Sequence, residues 1–268
     1  MKWLFVILLV IGLAIRDCGH ESSNPPQKAQ PQRIYVLPEG TIFPQQNKDL
    51  FDDFDGKFKL NWSILGIDNT HWSLTKYPGS LTITSQIGSF EFANKNFKNV
   101  FLVDFPVSQA DDFQLTTCII NFKPKDIWNQ AGLVLWNDKD NYLKFVYEYG
   151  EGPPPNNAHK LLFTAAREIS GRPNYAWFEA DQTPQNMWLR IIKRGSIYEL
   201  YNSTDGKTFN PMKVILPARM TENNTVPCLS VPVKSIGIFT SNYTSATAPE
   251  VDASFDFFEF KVLSEDEQ

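Results

Sequence analysis

Gln130-Ala131-Gly132-Leu133-Val134-Leu135-Trp136, the turn cluster Asn137-Asp138-Lys139-Asp140, and then Tyr142-Leu143-Lys144-Phe145-Val146-Tyr147-Glu148-Tyr149 decide how this chain is read. Side chains of a strand alternate between the two faces of its sheet. By that parity Ala131, Leu133 and Leu135 form one apolar set, matched on the next run by Leu143, Phe145 and Tyr147. Gln130, Trp136, Tyr142, Lys144 and Glu148 fall on the opposite faces. Alternating runs punctuated by Asn and Asp read as β-strands joined by turns.

The same texture extends outward in both directions. Upstream strand candidates are Leu81–Ser85, Val100–Phe105 and Phe113–Phe122. Downstream they are Lys160–Ala166, Tyr175–Ala180, Met187–Lys193, Ile197–Asn202, Ser235–Thr240 and Ala253–Val262. Tyr77-Pro78-Gly79, Arg194-Gly195 and Thr204-Asp205-Gly206-Lys207 supply further turns. In Met187–Lys193 the apolar set is Met187, Leu189 and Ile191, with Trp188 and Arg190 turned away. No segment carries a helical period. Many short strands with regular turns predict an all-β sandwich or barrel. The 268 residues include 21 Phe, and flat rings pack well on a pleated surface. All-β sandwiches of roughly 200–250 residues are commonly single domains.

The N-terminus reads as an export signal. Lys2 precedes the uncharged apolar run Trp3–Ala14, and Gly12-Leu13-Ala14 offers small residues for cleavage. Arg16 and Asp17 end the run, leaving it short for a membrane span. No later stretch is long and apolar enough to cross a bilayer. The mature chain is expected to begin near Ile15, or at Cys18 if that residue carries a lipid anchor; the expected location is extracytoplasmic. Four segments follow: residues 1–20 as signal, 21–47 as a Pro-, Gln- and Ser-rich linker, 48–263 as the sandwich, and 264–268 as an acidic tail. The formal net charge is -5, and no basic stripe is present to neutralise phosphates, so nucleic acid is not an expected partner. Three scattered histidines and the absence of Cys-x-x-Cys argue against a zinc site. Cys118 and Cys228 either pair in an oxidising compartment or stay as free thiols. Asn-x-Ser/Thr sequons stand at Asn61, Asn202, Asn223 and Asn242.

Several motifs in order resemble a known family. Phe51-Asp52-Asp53-Phe54-Asp55-Gly56 with Trp62, then Trp72-Ser73-Leu74, Pro78-Gly79-Ser80-Leu81, Gln130-Ala131-Gly132-Leu133, Trp188-Leu189-Arg190 and Ser203-Thr204-Asp205-Gly206-Lys207-Thr208 are similar to concanavalin-A-like accessory domains that follow the catalytic module of family-43 β-xylosidases. Ile236-Gly237-Ile238-Phe239 and Phe255-Asp256-Phe257-Phe258 continue the likeness to the end. The middle also resembles the stand-alone regulator-of-enolase-like proteins, whose pattern is Gln-Ala-Gly-Leu, Lys-x-x-x-Glu and a Ser-Asp-Trp element. Gln130, Lys144 and Glu148 fit that pattern; Asn174-Tyr175-Ala176-Trp177 keeps only its tryptophan. The resemblance implies a concanavalin-A-like jelly-roll sandwich of two antiparallel sheets. It also implies that opening and closing strands lie side by side, bringing Asp53 and Asp256 together as ligands of a structural calcium ion; no other cofactor is expected.

Function follows from the non-core faces. Rings stack on the apolar faces of sugars, while amides, carboxylates and guanidinium groups satisfy hydroxyls. The expectation is one groove lined by Gln130, Lys144, Glu148, Trp177 and Arg190, with Trp136, Tyr142 and Trp188 as stacking platforms. Its ligand would be an oligo- or polysaccharide, with a separate catalytic protein as a further partner. The plain alternative is a solvated sheet face on a structural or protein-interaction module. A glycosidase is the other alternative, but two carboxylates must flank a scissile bond, and Glu148 is the one mid-strand acid on this face. The expected role is therefore binding without catalysis.

Overall fold

The computed structural model describes residues 48–91, 95–153, 158–180, 184–215 and 223–264. The expected signal and linker, and the tail beyond Ser264, lie outside these residues. The described residues form sixteen strands and no helix. All pairings between them are antiparallel.

One sheet has nine strands. Its path runs β13 (Asn210–Pro211), β12 (Ile197–Ser203), β11 (Asn186–Arg194), β6 (Phe113–Ile120), β16 (Asp252–Val262), β4 (Leu81–Thr84) and β3 (Trp72–Ser73). To this path β1 (Leu50–Asp52) adds against β16, and β14 (Thr225–Pro227) against β12. The other sheet has seven strands: β10 (Arg172–Glu179), β9 (His159–Ile169), β8 (Asn141–Glu151), β7 (Asn129–Asp138), β15 (Ser235–Ser241), β5 (Val100–Asp104) and β2 (Ser63–Leu65). Every strand read from alternation is present, within a few residues at each end. The five missed, β1, β2, β3, β13 and β14, have two or three residues each, too few to show a period.

Alternation explains the layers. Leu133 and Leu135 of β7, Phe145 and Tyr147 of β8 and Ile236 and Ile238 of β15 share one core with Leu115, Ile119, Leu189, Ile191, Phe258 and Phe260 of the opposite sheet. At roughly 1.5–3 kcal/mol for each fully buried large apolar side chain, this shared layer is the main force holding the sheets together.

The opening motif has a specific use. The Asp52 carboxylate is fully buried and accepts hydrogen bonds from the backbone N–H of Phe54 (2.9 Å), Lys59 (2.8 Å) and Leu60 (3.1 Å), and from Trp62 Nε1 (2.9 Å). Four donors compensate one buried charge and tie the turn after β1 to β16, where Asp52 lies opposite Phe258.

The glycine of Gln130-Ala131-Gly132-Leu133 is equally constrained. A Cβ on Gly132 would come 2.1 Å from the carbonyl oxygen of Phe145 on the neighbouring strand. Gly132→Ala must therefore push β7 and β8 apart, and it is expected to destabilise the domain by about 1–3 kcal/mol, measured by urea unfolding; an unchanged midpoint would contradict this close approach.

Candidate functional site

The outward face of the seven-stranded sheet is divided in two. One half is dry. Trp136 and Tyr142 lie beneath Phe90 and Phe97 of the segment following β4, forming a second apolar cluster with Val100, Leu102, Val134, Val146 and Phe239. Phe90 stands 5.5 Å from the Tyr142 ring and Phe97 5.4 Å from that of Trp136. The other half is a cavity of about 450 Å³, within the range of roughly 300–1,000 Å³ usual for small-molecule sites.

Consecutive strands build the cavity floor. Gln130 of β7 pairs directly with Glu148 of β8, and Thr164 of β9 pairs with Trp177 of β10. Lys144 stands on the same face of β8, four residues before Glu148 and therefore of the same parity. Loops add Glu91, Trp128 and Tyr243, while Tyr175 projects two residues before Trp177. The Lys144 ammonium lies 2.7 Å from Glu91 Oε1 and donates to Gln130 Oε1 at 3.0 Å. It also stands 5.9 Å from the Tyr243 ring centroid. The Tyr175 hydroxyl donates to the other Glu91 oxygen, and desolvation, reinforced by Glu91, pushes the Tyr175 pKa upward.

Glu148 is held differently. It is 5 % exposed, and its Oε1 accepts a 2.6 Å hydrogen bond from the Thr164 hydroxyl. Among the described residues no cation comes within 4.0 Å of it. Burial raises its pKa above the usual carboxylate range; the field of Lys144 and the Thr164 bond oppose this without overcoming it. Lys144 thus serves Glu91 first. Gly150 makes room for the arrangement, since a Cβ there would lie 2.8 Å from Glu148 Oε1.

One wall is built under backbone strain. Trp128 and Tyr243 both have positive φ, 66° and 52°, a conformation uncommon for bulky residues. Their rings meet edge to face at 4.8 Å. The backbone beside them is pinned by Asn129, whose side chain donates to Asn242 Oδ1 (2.7 Å) and accepts from the N–H of Lys125 (2.9 Å) and Asp126 (3.1 Å). Asn242 is fully buried, so the sequon there is closed to a glycan in the folded domain.

Residues 51–261 match the family described as the beta xylosidase C-terminal concanavalin A-like domain. The chain belongs to that family. Among solved structures it is similar to the GH43 protein BlXynB of Bacillus licheniformis, with 22% identity, a TM-score of 0.61, and coverage of 82% of this chain and 40% of that one. It is also similar to the xyloglucan-locus GH43B of Bacteroides ovatus, at 18% identity, TM-score 0.59, and 85% and 42% coverage. For the xylan β-1,4-xylosidase of Bacillus halodurans the figures are 18% identity, TM-score 0.57, and 84% and 41% coverage. The chain therefore spans about two fifths of these proteins, and at such identities the likeness is one of fold. No curated protein matches.

Within this family fold the expected site residues separate into groups. Gln130, Lys144, Glu148 and Trp177 all line this same cavity. Trp136 and Tyr142 share their sheet face but are sealed under Phe90 and Phe97, so they are packing residues rather than stacking platforms. Trp188 and Arg190 lie in the other sheet, on the far side of the sandwich core. Arg190 lies over the Phe209 ring at 3.3 Å and donates to Thr116 Oγ1 at 3.1 Å. Trp188 packs on Gly206, where a Cβ would sit 2.8 Å from the indole. The expected single groove is corrected on these four positions: Trp188 and Arg190 because parity assigns a face of a sheet without saying which sheet, and Trp136 and Tyr142 because Phe90 and Phe97 cover them.

Glu91, Trp128, Thr164, Tyr175 and Tyr243 were not foreseen. Thr164 and Tyr175 fall in recognised strands at the right parity, so sheet order alone would have added them. Glu91, Trp128 and Tyr243 sit on loops that carry no periodic signal. The expected metal pair fares differently. Asp53 is ion-paired with Lys59, Asp256 stands at a bulge in β16, and among the described residues no three His, Cys, Asp or Glu side chains converge as metal ligands. The acid drawn inward is Asp52, already saturated by N–H donors. Cys118 and Cys228 are free thiols, and burial pushes that of Cys118 up to about 12.

The ion pair and the lone carboxylate lead to opposite expectations. Lys144→Met leaves Glu91 buried without its cation, a loss of about 3–5 kcal/mol by urea unfolding; adding Glu91→Gln in the same molecule should restore a large part. For Glu148 the folded pKa exceeds the unfolded one, so its stabilising proton is fully effective at low pH and lost as pH rises through the raised value. Glu148→Gln should therefore melt above wild type at pH 8 and lose that advantage at pH 4, read by scanning calorimetry. A constant difference across this range would contradict the raised pKa.

Proposed function

We propose that the chain is an exported, non-catalytic accessory domain that binds a carbohydrate in the cavity of its seven-stranded sheet. The observation carrying this reading is the combination of four aromatic side chains, Trp128, Tyr175, Trp177 and Tyr243, around a polar floor of Gln130, Lys144, Glu148 and Thr164. Sugar rings offer apolar faces for stacking and hydroxyls for polar groups fixed at known angles. A cavity of this volume suits one or two sugar units rather than a long polymer stretch. Family membership supports the accessory role, and the relatives named above are GH43 proteins, one of them a xylan β-1,4-xylosidase, which makes plant xylan fragments the first ligands to test. The export part rests on Lys2 and the Trp3–Ala14 run, outside the described residues.

A glycosidase reading gains one observation, since Glu91 is a second buried carboxylate beside Glu148. Its chemistry is against it. One Glu91 oxygen is bound to Lys144 and the other takes the Tyr175 hydroxyl, so neither is free to attack a sugar or move a proton. Binding without turnover is the better account.

Calorimetry of the full chain with xylo-oligosaccharides and other plant and bacterial glycan fragments tests the reading. Trp177→Ala or Trp128→Ala is expected to weaken binding by about 2 kcal/mol, as for a central interface anchor. Arg190→Ala, on the other sheet, should leave affinity unchanged. Equal loss in all three variants, or steady release of reducing sugar, would overturn it.

A further inference from the structure

The cavity's charges do not cancel. Among the described residues Lys144 is its one lining cation, and Glu91, Glu148 and Glu151 are its lining acids. Glu91 takes Lys144 at 2.7 Å, which leaves Glu148 as a buried carboxylate whose hydrogen bond comes from the neutral Thr164 hydroxyl. Tyr175 and Tyr243 are held as neutral phenols by burial and by Glu91. A carboxylate removed from water calls for a cation or a strong donor, and the described residues place none within ion-pair distance of it.

The walls point the same way. Aromatic faces are negative at the ring centre and attract ammonium groups, tryptophan most strongly. Trp128 and Trp177 with Tyr175 and Tyr243 line the same cavity as Glu148. The Tyr175 and Trp177 rings stack at 5.8 Å with an interplanar angle of 24°, giving one continuous aromatic panel beside the acid. Rings around an uncompensated carboxylate form a receptor for a positive group.

We propose that the cavity takes a sugar bearing a free ammonium group, an unacetylated hexosamine, with its ammonium against Glu148 and its ring on the Trp128 and Trp177 walls. This rests on the carbohydrate-binding reading and narrows it to a ligand class. A neutral sugar leaves Glu148 without a counter-charge, and a uronate adds a second negative charge beside it. The Lys144 charge does not exclude the ligand, because Glu91 already neutralises it within the cavity.

Binding is then coupled to protons. An ammonium stabilises the ionised form of Glu148, whose pKa burial has raised, so a fraction of a proton is released on binding. Affinity rises with pH through that range. The polar and titratable groups that line the cavity with Glu148 are Lys144 and Gln130 on the floor, Thr164 on β9, Tyr175 on β10, and Glu91, Glu151 and Tyr243.

The test is calorimetry of the full chain at pH 7 with the methyl β-glycosides of glucosamine, glucose and glucuronate, and with the matching galacto set. The amino sugar of one set should bind at least tenfold more tightly than its neutral counterpart, with the uronate weakest. Repeating the titration at pH 6, where the amino sugar is already protonated and takes up no proton on binding, in buffers of different ionisation enthalpy should show proton release from Glu148. Glu148→Gln, with its fold checked by thermal melting, should bring amino and neutral sugars within about threefold. If neutral sugar or uronate binds as well as the amine, the ammonium assignment falls while sugar binding stands. A tenfold preference retained in Glu148→Gln removes Glu148 from the role. If none of the six glycosides binds, the carbohydrate reading falls and this inference with it.

Discussion

The buried pairing of Lys144 with Glu91 at 2.7 Å organises the outward face of the seven-stranded sheet. It joins the middle of β8 to the segment following β4, whose described residues belong to no strand. The same segment is fastened again by Lys95, which pairs with Glu168 and with Asp140 at 2.9 Å. Flanking these charged anchors in sequence, Phe90 and Phe97 spread over Trp136 and Tyr142. Buried ion pairs add little net stability over apolar packing, but they are strict about geometry. Here they decide where the segment lies, and so which half of the sheet face is covered and which stays open.

What stays open is prearranged by strain. Trp128 and Tyr243 are held at positive φ, at a cost on the order of 1–2 kcal/mol each. The buried Asn129 and Asn242 side chains satisfy the surrounding backbone and offset that cost. Strain of this kind concentrates at sites where side chains must be fixed in advance. A Glu148 with no cation among the described residues within ion-pair distance and a strained aromatic wall both support the proposed binding role.

The core behaves simply by comparison. Leucines, isoleucines and phenylalanines at every second position meet across the sandwich, and Asp52 closes the opening turn with four N–H bonds. Gly132 and Gly150 yield space on β7 and β8, one for the neighbouring backbone and one for Glu148. Thus Gly132, Gly150 and the buried Asp52 serve packing, while Gln130, Lys144 and Glu148 open onto the cavity.

Alternation by itself determined an all-β chain, its eleven longer strands and, in β7, β8 and β11, which side chains face the core, because a period of two is a local property of extended backbone. It also selected Gln130, Lys144 and Glu148, since β7 and β8 are neighbours in sequence and in the sheet. Only the tertiary structure decided the rest. Arg190 and Trp188 obey the same alternation, yet β11 joins the other sheet, and sheet membership depends on pairing between strands far apart in sequence. Trp136 and Tyr142 have the right face and the right sheet, but a distant loop covers them. Glu91, Trp128 and Tyr243 reach the cavity from loops, where position is set by long-range contacts and no period marks it.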